Sequence, residues 1–181
     1  MFKQRPSHEH GNERMEPPQA RSERRQEVQV SREIWHEILI HASPAEVYDA
    51  VTEVKKLAHW WTTDTRGVSV VGGTLEFWFG GMCQEMEVLL LQPAELVRWR
   101  AKPGGAPGWT DTQLEFKVIR DRSKTFLHLR HSNWREEAAL FPHCSMGWAI
   151  FLLSLKEFVE TGKGRPFPYY MPVNLWKPPE S

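Results

Sequence analysis

Large apolar residues are sparse through the first thirty positions and then arrive in short periodic runs separated by glycine, proline and polar clusters. Ile34, Ile38 and Ile40 alternate with Trp35, Glu37 and Leu39, which predicts a first β-strand. A helix start follows at once. Ser43 stands three residues before Glu46 with Pro44 between them, a capping box with proline at the first helical position. Val47, Ala50, Val51 and Val54 continue at helical spacing, and Leu57 with Trp60 and Trp61 closes a second short helical segment or turn.

Beyond this helical hairpin, five segments carry the alternation or apolar runs of strands, each bounded by turn residues. Thr74–Phe79 lies between Gly72-Gly73 and Gly80-Gly81. Glu85–Leu91 and Leu96–Ala101 are separated only by Gln92 to Glu95, so they are expected to pair antiparallel. After a loop rich in glycine and proline, Thr112, Leu114, Phe116 and Val118 alternate with Gln113, Glu115 and Lys117, giving one buried and one wet face. Asp121, Arg122 and Ser123 turn the chain into a last strand, Thr125–His131.

From Phe141 to Thr161 the period becomes helical, with Cys144, Trp148, Phe151, Leu155 and Phe158 at spacings of three and four and Gly162 as the expected C-cap. The middle of this helix reads as apolar over most of its circumference, so it is expected to be buried against the antiparallel sheet. The fold class is therefore α+β, in a domain spanning residues 31–162. Residues 1–30, with His8, His10, Pro17, Pro18 and a charge-dense stretch from Arg21 to Glu27, bury too little to offset ordering entropy and are expected to form a disordered tail. Residues 163–181 combine five prolines with Phe167, Tyr169, Tyr170, Met171, Leu175 and Trp176, and are expected to lie extended against the domain or a neighbouring subunit.

Composition narrows the function classes. At 181 residues one core is expected. Lys plus Arg and Asp plus Glu number 23 each, so no net charge draws the protein to nucleic acid or an anionic membrane. The longest apolar run, Trp148 to Leu153, is far too short to span a bilayer, and no signal-peptide pattern opens the chain. A cytoplasmic protein without membrane insertion is expected, with Cys83 and Cys144 as two separate buried thiols. Nine tryptophans are several times ordinary usage, which points either to a Trp-rich core or to a cavity lined by aromatic rings.

The order strand, two short helices, meander, long C-terminal helix resembles the START-like (SRPBCC) superfamily, in which a curved sheet grips that helix. Within it the chain resembles the branch of Aha-type activators of the heat-shock chaperone ATPase. The resemblance rests on Ala42-Ser43-Pro44-Ala45-Glu46-Val47, the Trp60-Trp61 pair, Gly72-Gly73, the stretch from Pro93 to Trp99, His131, and Gly147-Trp148, and it covers Ile34 to Gly162. It implies a helix-grip fold, whose space between sheet and helix is commonly a ligand cavity. It also brings in a stress-response chaperone partner, a reading weakened by the lack here of the second domain expected of full activators.

Catalytic and metal constellations are weak. His128, His131, His143 and Cys144 fall in one region, but the odd separation of His128 and His131 puts them on opposite strand faces, and His143 and Cys144 diverge on a helix. No metal or other cofactor is therefore expected. Cys144 lacks the surroundings of a nucleophile and reads as a packing residue on the helix face. Glu85 and Glu87 share a face that alternation extends to Leu89 and Leu91, and Glu136 and Glu137 read as solvated. No phosphate-binding glycine loop occurs.

What remains is aromatic. Trp61, Trp78, Trp99, Phe116, Trp134, Cys144, Trp148 and Phe151, with His131 as the polar member, are the expected lining of a cavity between sheet and helix. The leading expectation is binding of an apolar or aromatic small molecule, in a monomer or homodimer. A polyketide-cyclase-like enzyme using His131 or an acid as proton shuttle, and a co-chaperone domain, are the alternatives.

Overall fold

A computed structural model describes residues 32–135 and 139–171. The expectations for residues 1–30, for Glu136 and Glu137, and for residues 172–181 lie outside the described residues. Seven strands and three helices follow in the order β1 (Arg32–Ile40), α1 (Pro44–Ala50), α2 (Val54–Leu57), β2 (Asp64–Gly67), β3 (Thr74–Phe79), β4 (Met82–Gln92), β5 (Leu96–Ala101), β6 (Gln113–Asp121), β7 (Lys124–Trp134) and α3 (Phe141–Thr161). All strands are antiparallel neighbours in one curved sheet of order β1-β7-β6-β5-β4-β3-β2, and α3 lies against β1 and α1 across its inner face. This is the helix-grip α+β fold.

Local chemistry explains the elements. The Ser43 side chain accepts from the Glu46 backbone and Glu46 returns the bond to the Ser43 backbone N–H at 2.8 Å, so both orphan donors at the start of α1 are satisfied. Gly162 adopts φ 79°, and its N–H donates to the Phe158 carbonyl, ending α3 where an L side chain would be strained. β2, Asp-Thr-Arg-Gly, is a short charged edge strand with no apolar alternation to reveal it in sequence.

The two sheet faces differ sharply. The outer face carries cross-strand ion pairs, Glu33 with Arg130, Glu115 with Arg98, Glu87 with Arg100 and Glu85 with Lys102, beside a hydrogen bond between Glu37 and His128. The inner face presents Leu75, Phe77, Met86, Val88, Val97, Trp99, Leu114, Phe116, Leu127 and Leu129, all fully buried. Glu85 and Glu87 do not share their face with Leu91. A register shift between Val88 and Leu90 inserts one residue, after which Leu91 pairs with Val97 and packs on the core.

The expectation that α3 is buried nearly all round is corrected. Its inward stripe of Cys144, Gly147, Trp148, Ile150, Leu152 and Leu155 is buried, but Met146 and Leu153 are more than half exposed on the opposite side. Apolar composition alone does not distinguish a helix gripped on one side from one surrounded, because exposed apolar residues are ordinary. The C-terminal segment is docked as far as Met171. The Arg165 N–H donates to Ser154 Oγ at 2.7 Å, the Phe167 N–H to the Trp61 carbonyl at 2.8 Å, and the Thr63 N–H to the Phe167 carbonyl at 3.1 Å.

Candidate functional site

The sheet and α3 enclose a continuous body of aromatic rings, so the expected cavity wall is a set of side chains in mutual contact. Trp99 and Phe116 come from the inner faces of β5 and β6, with ring centroids 5.2 Å apart and edge to face. Trp61, on the turn after α2, reaches across to Phe77 at 3.9 Å, Trp148 at 5.0 Å and Trp99 at 6.2 Å. Towards the surface the series continues through half-buried residues: Phe79 meets Trp61, Phe151 and Phe167, while Tyr170 meets Phe151 and Phe167. The docked C-terminal segment thus covers this end, with its backbone fastened beside Trp61.

A polar chain threads the other end. His131, inward on β7 and fully buried, accepts at Nδ1 from the Trp148 indole N–H at 3.0 Å. Its Nε2 lies 2.9 Å from Thr112 Oγ1, and the Thr112 hydroxyl donates to the Trp109 carbonyl at 2.6 Å. Asn133, at φ 63°, turns the strand so that Trp134 also points inward, where its indole N–H donates to the His131 carbonyl at 3.1 Å. Trp109 closes over His131 with centroids 4.6 Å apart, and its indole N–H donates to Cys144 Sγ at 3.2 Å.

Burial governs the ionisable members. Desolvation pushes the His131 imidazole down to about 3, so it is neutral at physiological pH, and pushes the Cys144 thiol up to about 11. With both ring nitrogens engaged and no solvent access, His131 is a structural hub with no free nitrogen for a substrate proton. Among the described residues no group of three His, Cys, Asp or Glu side chains is placed to share a metal ion.

Eight of the nine expected lining residues, Trp61, Trp99, Phe116, His131, Trp134, Cys144, Trp148 and Phe151, are brought to this one region. Trp78 is not. It lies on the outer face of β3, where its indole N–H donates to Glu76 at 3.2 Å and the Arg66 guanidinium sits 5.3 Å from its ring. Alternation carried the signal, since Leu75, Phe77 and Phe79 form the apolar parity of β3 and Trp78 belongs to the other. Cys83 shares that outer side and is half-buried, so only Cys144 is the buried thiol expected. Phe77, Trp60 and Trp109 are additional members of the cluster. Trp109 had no periodicity to reveal it, lying in the loop between β5 and β6, which Gln84 holds by accepting from the Ala106 N–H at 2.9 Å.

Four of the six buried indoles have protein acceptors among the described residues, Trp61 and Trp99 being the others. Trp60, Trp109, Trp134 and Trp148 each donate to a protein acceptor. Trp99 Nε1 is fully buried and has no hydrogen-bond partner among the described residues. Such an unpaired donor costs about 1–3 kcal/mol.

No helix among the described residues is long and apolar enough to cross a membrane. A search of curated proteins gave no match. Among solved structures, the chain is similar to the Aha1 dimer from Colwellia psychrerythraea, determined in solution, at 39% identity over 74% of this chain and 99% of that one, with a TM-score of 0.68. Protein MLL2253 from Mesorhizobium loti, at 20% identity over 71% of this chain and 96% of that one (TM-score 0.63), shares the fold. So does CalU16 from Micromonospora echinospora, at 22% identity over 76% and 78% (TM-score 0.62). The family model described as "Activator of Hsp90 ATPase homolog 1-like protein" matches residues 41–160, the stretch from the exit of β1 to the end of α3 that supplies every ring of the aromatic body except Phe167 and Tyr170. The chain therefore belongs to this family, within the START-like (SRPBCC) superfamily.

Proposed function

We propose that the domain is a cytoplasmic binding module for a small apolar or aromatic molecule, seated between the inner sheet face and α3 among Trp61, Trp99, Phe116, Trp148 and Phe151. One observation carries this reading. The rings run without interruption from the fully buried Trp99–Phe116 pair to the half-buried Phe79–Phe151–Tyr170 group, giving a planar apolar guest aromatic contacts along its whole path. Trp61 is the ring that yields, because it sits on a turn rather than a strand and is held at its backbone by the docked segment. Cys144 and the His131 chain form the far wall.

Native mass spectrometry of freshly purified protein tests the reading directly, since a retained small molecule appears as a mass increment that denaturation removes. Saturable quenching of tryptophan emission by an apolar aromatic compound, with a matching rise in melting temperature, is the expected companion. Absence of both would overturn it. A polyketide-cyclase-like enzyme is less well supported, because the one buried imidazole spends both nitrogens on structure.

A second reading concerns assembly. Leu153 and Met171 leave apolar surface along a groove beside α3 that also holds Lys156, Glu157, Glu160 and Arg165, and Met146 is exposed on the same helix outside that groove. That mixed surface suits a self-complementary homodimer, and the structure of the Colwellia relative is that of a dimer. Sedimentation equilibrium of wild type and of Leu153→Lys decides it: the wild type dimerises and the variant does not, or the reading is wrong. A chaperone ATPase partner, as the family's description states for its namesake, is tested by the same variant in a pull-down.

A further inference from the structure

We infer that Trp99 is the specificity-determining residue of this site, and that its ligand carries a hydrogen-bond acceptor, a carbonyl or ether oxygen, which the Trp99 indole N–H receives. The inference rests on the small-molecule reading above and adds the chemistry by which the ligand is chosen.

Four buried indoles of the described chain have protein acceptors, a backbone carbonyl for Trp60 and Trp134, a thiol for Trp109 and an imidazole nitrogen for Trp148. Trp99 is as buried as any of them, at the middle of β5, and its donor has none. The rings around it are Trp61, parallel within 3° at 6.2 Å, Phe77 at 5.8 Å and Phe116 at 5.2 Å. None of these side chains offers an oxygen acceptor. Of the two indole donors here without a protein partner among the described residues, Trp61 and Trp99, only that of Trp99 is fully buried at its nitrogen, which is the arrangement expected of a site whose acceptor arrives with the ligand. Polarity at the far wall does not compete for it, because His131, Thr112 and Cys144 are consumed by one another and by Trp109 and Trp148. Trp61 lies parallel to Trp99 with centroids 6.2 Å apart, so its displacement would open space beside the Trp99 ring.

A site with a buried donor discriminates against a ligand of the same shape that lacks the acceptor, since the donor then stays unpaired. The probes are 1-indanone and indane, bicyclic molecules of closely similar shape that differ by one carbonyl. Titration of the full chain carrying ¹⁵N in its indole groups, followed by NMR, reads both affinity and the Trp99 proton. The expected result is binding of 1-indanone at least about tenfold tighter than indane, with the Trp99 Nε1 proton moving downfield only for the ketone. In Trp99→Phe the two affinities should come within about twofold of each other. If that variant does not fold, the wild-type resonance and the ketone-to-hydrocarbon ratio still decide. Equal binding of both compounds with no downfield movement overturns the role of Trp99 and leaves the binding module standing. If neither compound perturbs any buried indole, both are overturned.

Discussion

The indole N–H of Trp148, on α3, donates to Nδ1 of His131, on β7, across 3.0 Å of fully buried interior. The bond requires a bare Nδ1 and so fixes the tautomer, with the proton on Nε2 directed to Thr112 and from there to the Trp109 carbonyl. Helix, last strand and the loop between β5 and β6 are thereby tied to a single imidazole. That imidazole must stay neutral for the chain of bonds to hold.

Acid should therefore loosen the domain through His131. Its folded pKa of about 3 lies below the ordinary imidazole value of 6.5, so between those values the unfolded chain binds one more proton than the native one. The contribution is complete above about 6.5 and is lost as pH falls towards 3. Urea unfolding at stepped pH should show wild type losing roughly 1.4 kcal/mol more per pH unit in this window than His131→Gln. Identical slopes would show that the imidazole is protonated in the fold.

Replacing Trp148 by Phe keeps the ring in contact with Trp61 and Trp109 but strips Nδ1 of its donor. The expected cost is about 1–3 kcal/mol, most of it from the orphaned nitrogen, whereas Trp148→Ala should cost about 3–5 kcal/mol by opening a void as well. Chemical denaturation separates the two. A Phe variant as stable as wild type would mean that the hydrogen bond is incidental.

Trp78 should behave quite differently. On the outer face, stacked under Arg66, its loss to Ala is expected to be mild and to leave ligand-induced quenching intact. A Trp78→Ala protein blind to ligand would put the binding surface on the wrong side of the sheet.

Thiol chemistry offers a cheap check on burial. Cys144, pushed up to about 11 and accepting from Trp109, should react with a disulfide reagent at pH 8 only after denaturation, while half-buried Cys83 reacts first in the native protein. Liquid chromatography with mass detection of the labelled peptides assigns the order. Equal rates would contradict the packed far wall.

Truncation after Gly162 removes the backbone bonds that hold Trp61 and the cover over Phe79 and Phe151. A lower melting temperature and red-shifted tryptophan emission are expected. Unchanged values would show that residues 163–171 rest on the domain without supporting it.

Much of this fold is legible in the sequence. Ser43, Pro44 and Glu46 marked the start of α1 and Gly162 the end of α3, because caps are local chemistry and need no tertiary context. β3, β5 and α3 could be bounded from periodicity, and the inward parity of Val97, Trp99, Leu114 and Phe116 followed from it. β2 is silent, since an edge strand of Asp, Thr, Arg and Gly has no apolar alternation to reveal it. Leu91 was put on the wrong face because a bulge is a pairing event that one strand's alternation does not encode. Trp109 lies in a loop, which has no period to mark it, and Trp78 joins the expected lining by its chemistry although its parity argues the other way. The exposed side of α3 shows the same limit: composition says how apolar a helix is, not how much of it the sheet covers.

The closing strand pair has a consequence for how the chain is made. β1 is the first strand synthesised, yet its partner is β7, so that Ile34 meets His131 only after the rest of the sheet has emerged. The strands from β2 to β7 are each neighbours in sequence and can zip together hairpin by hairpin, while β1 waits with one long edge unpaired. Closure of the sheet thus waits until β7 has been translated, and β1 is the strand most in need of protection until β7 and α3 arrive.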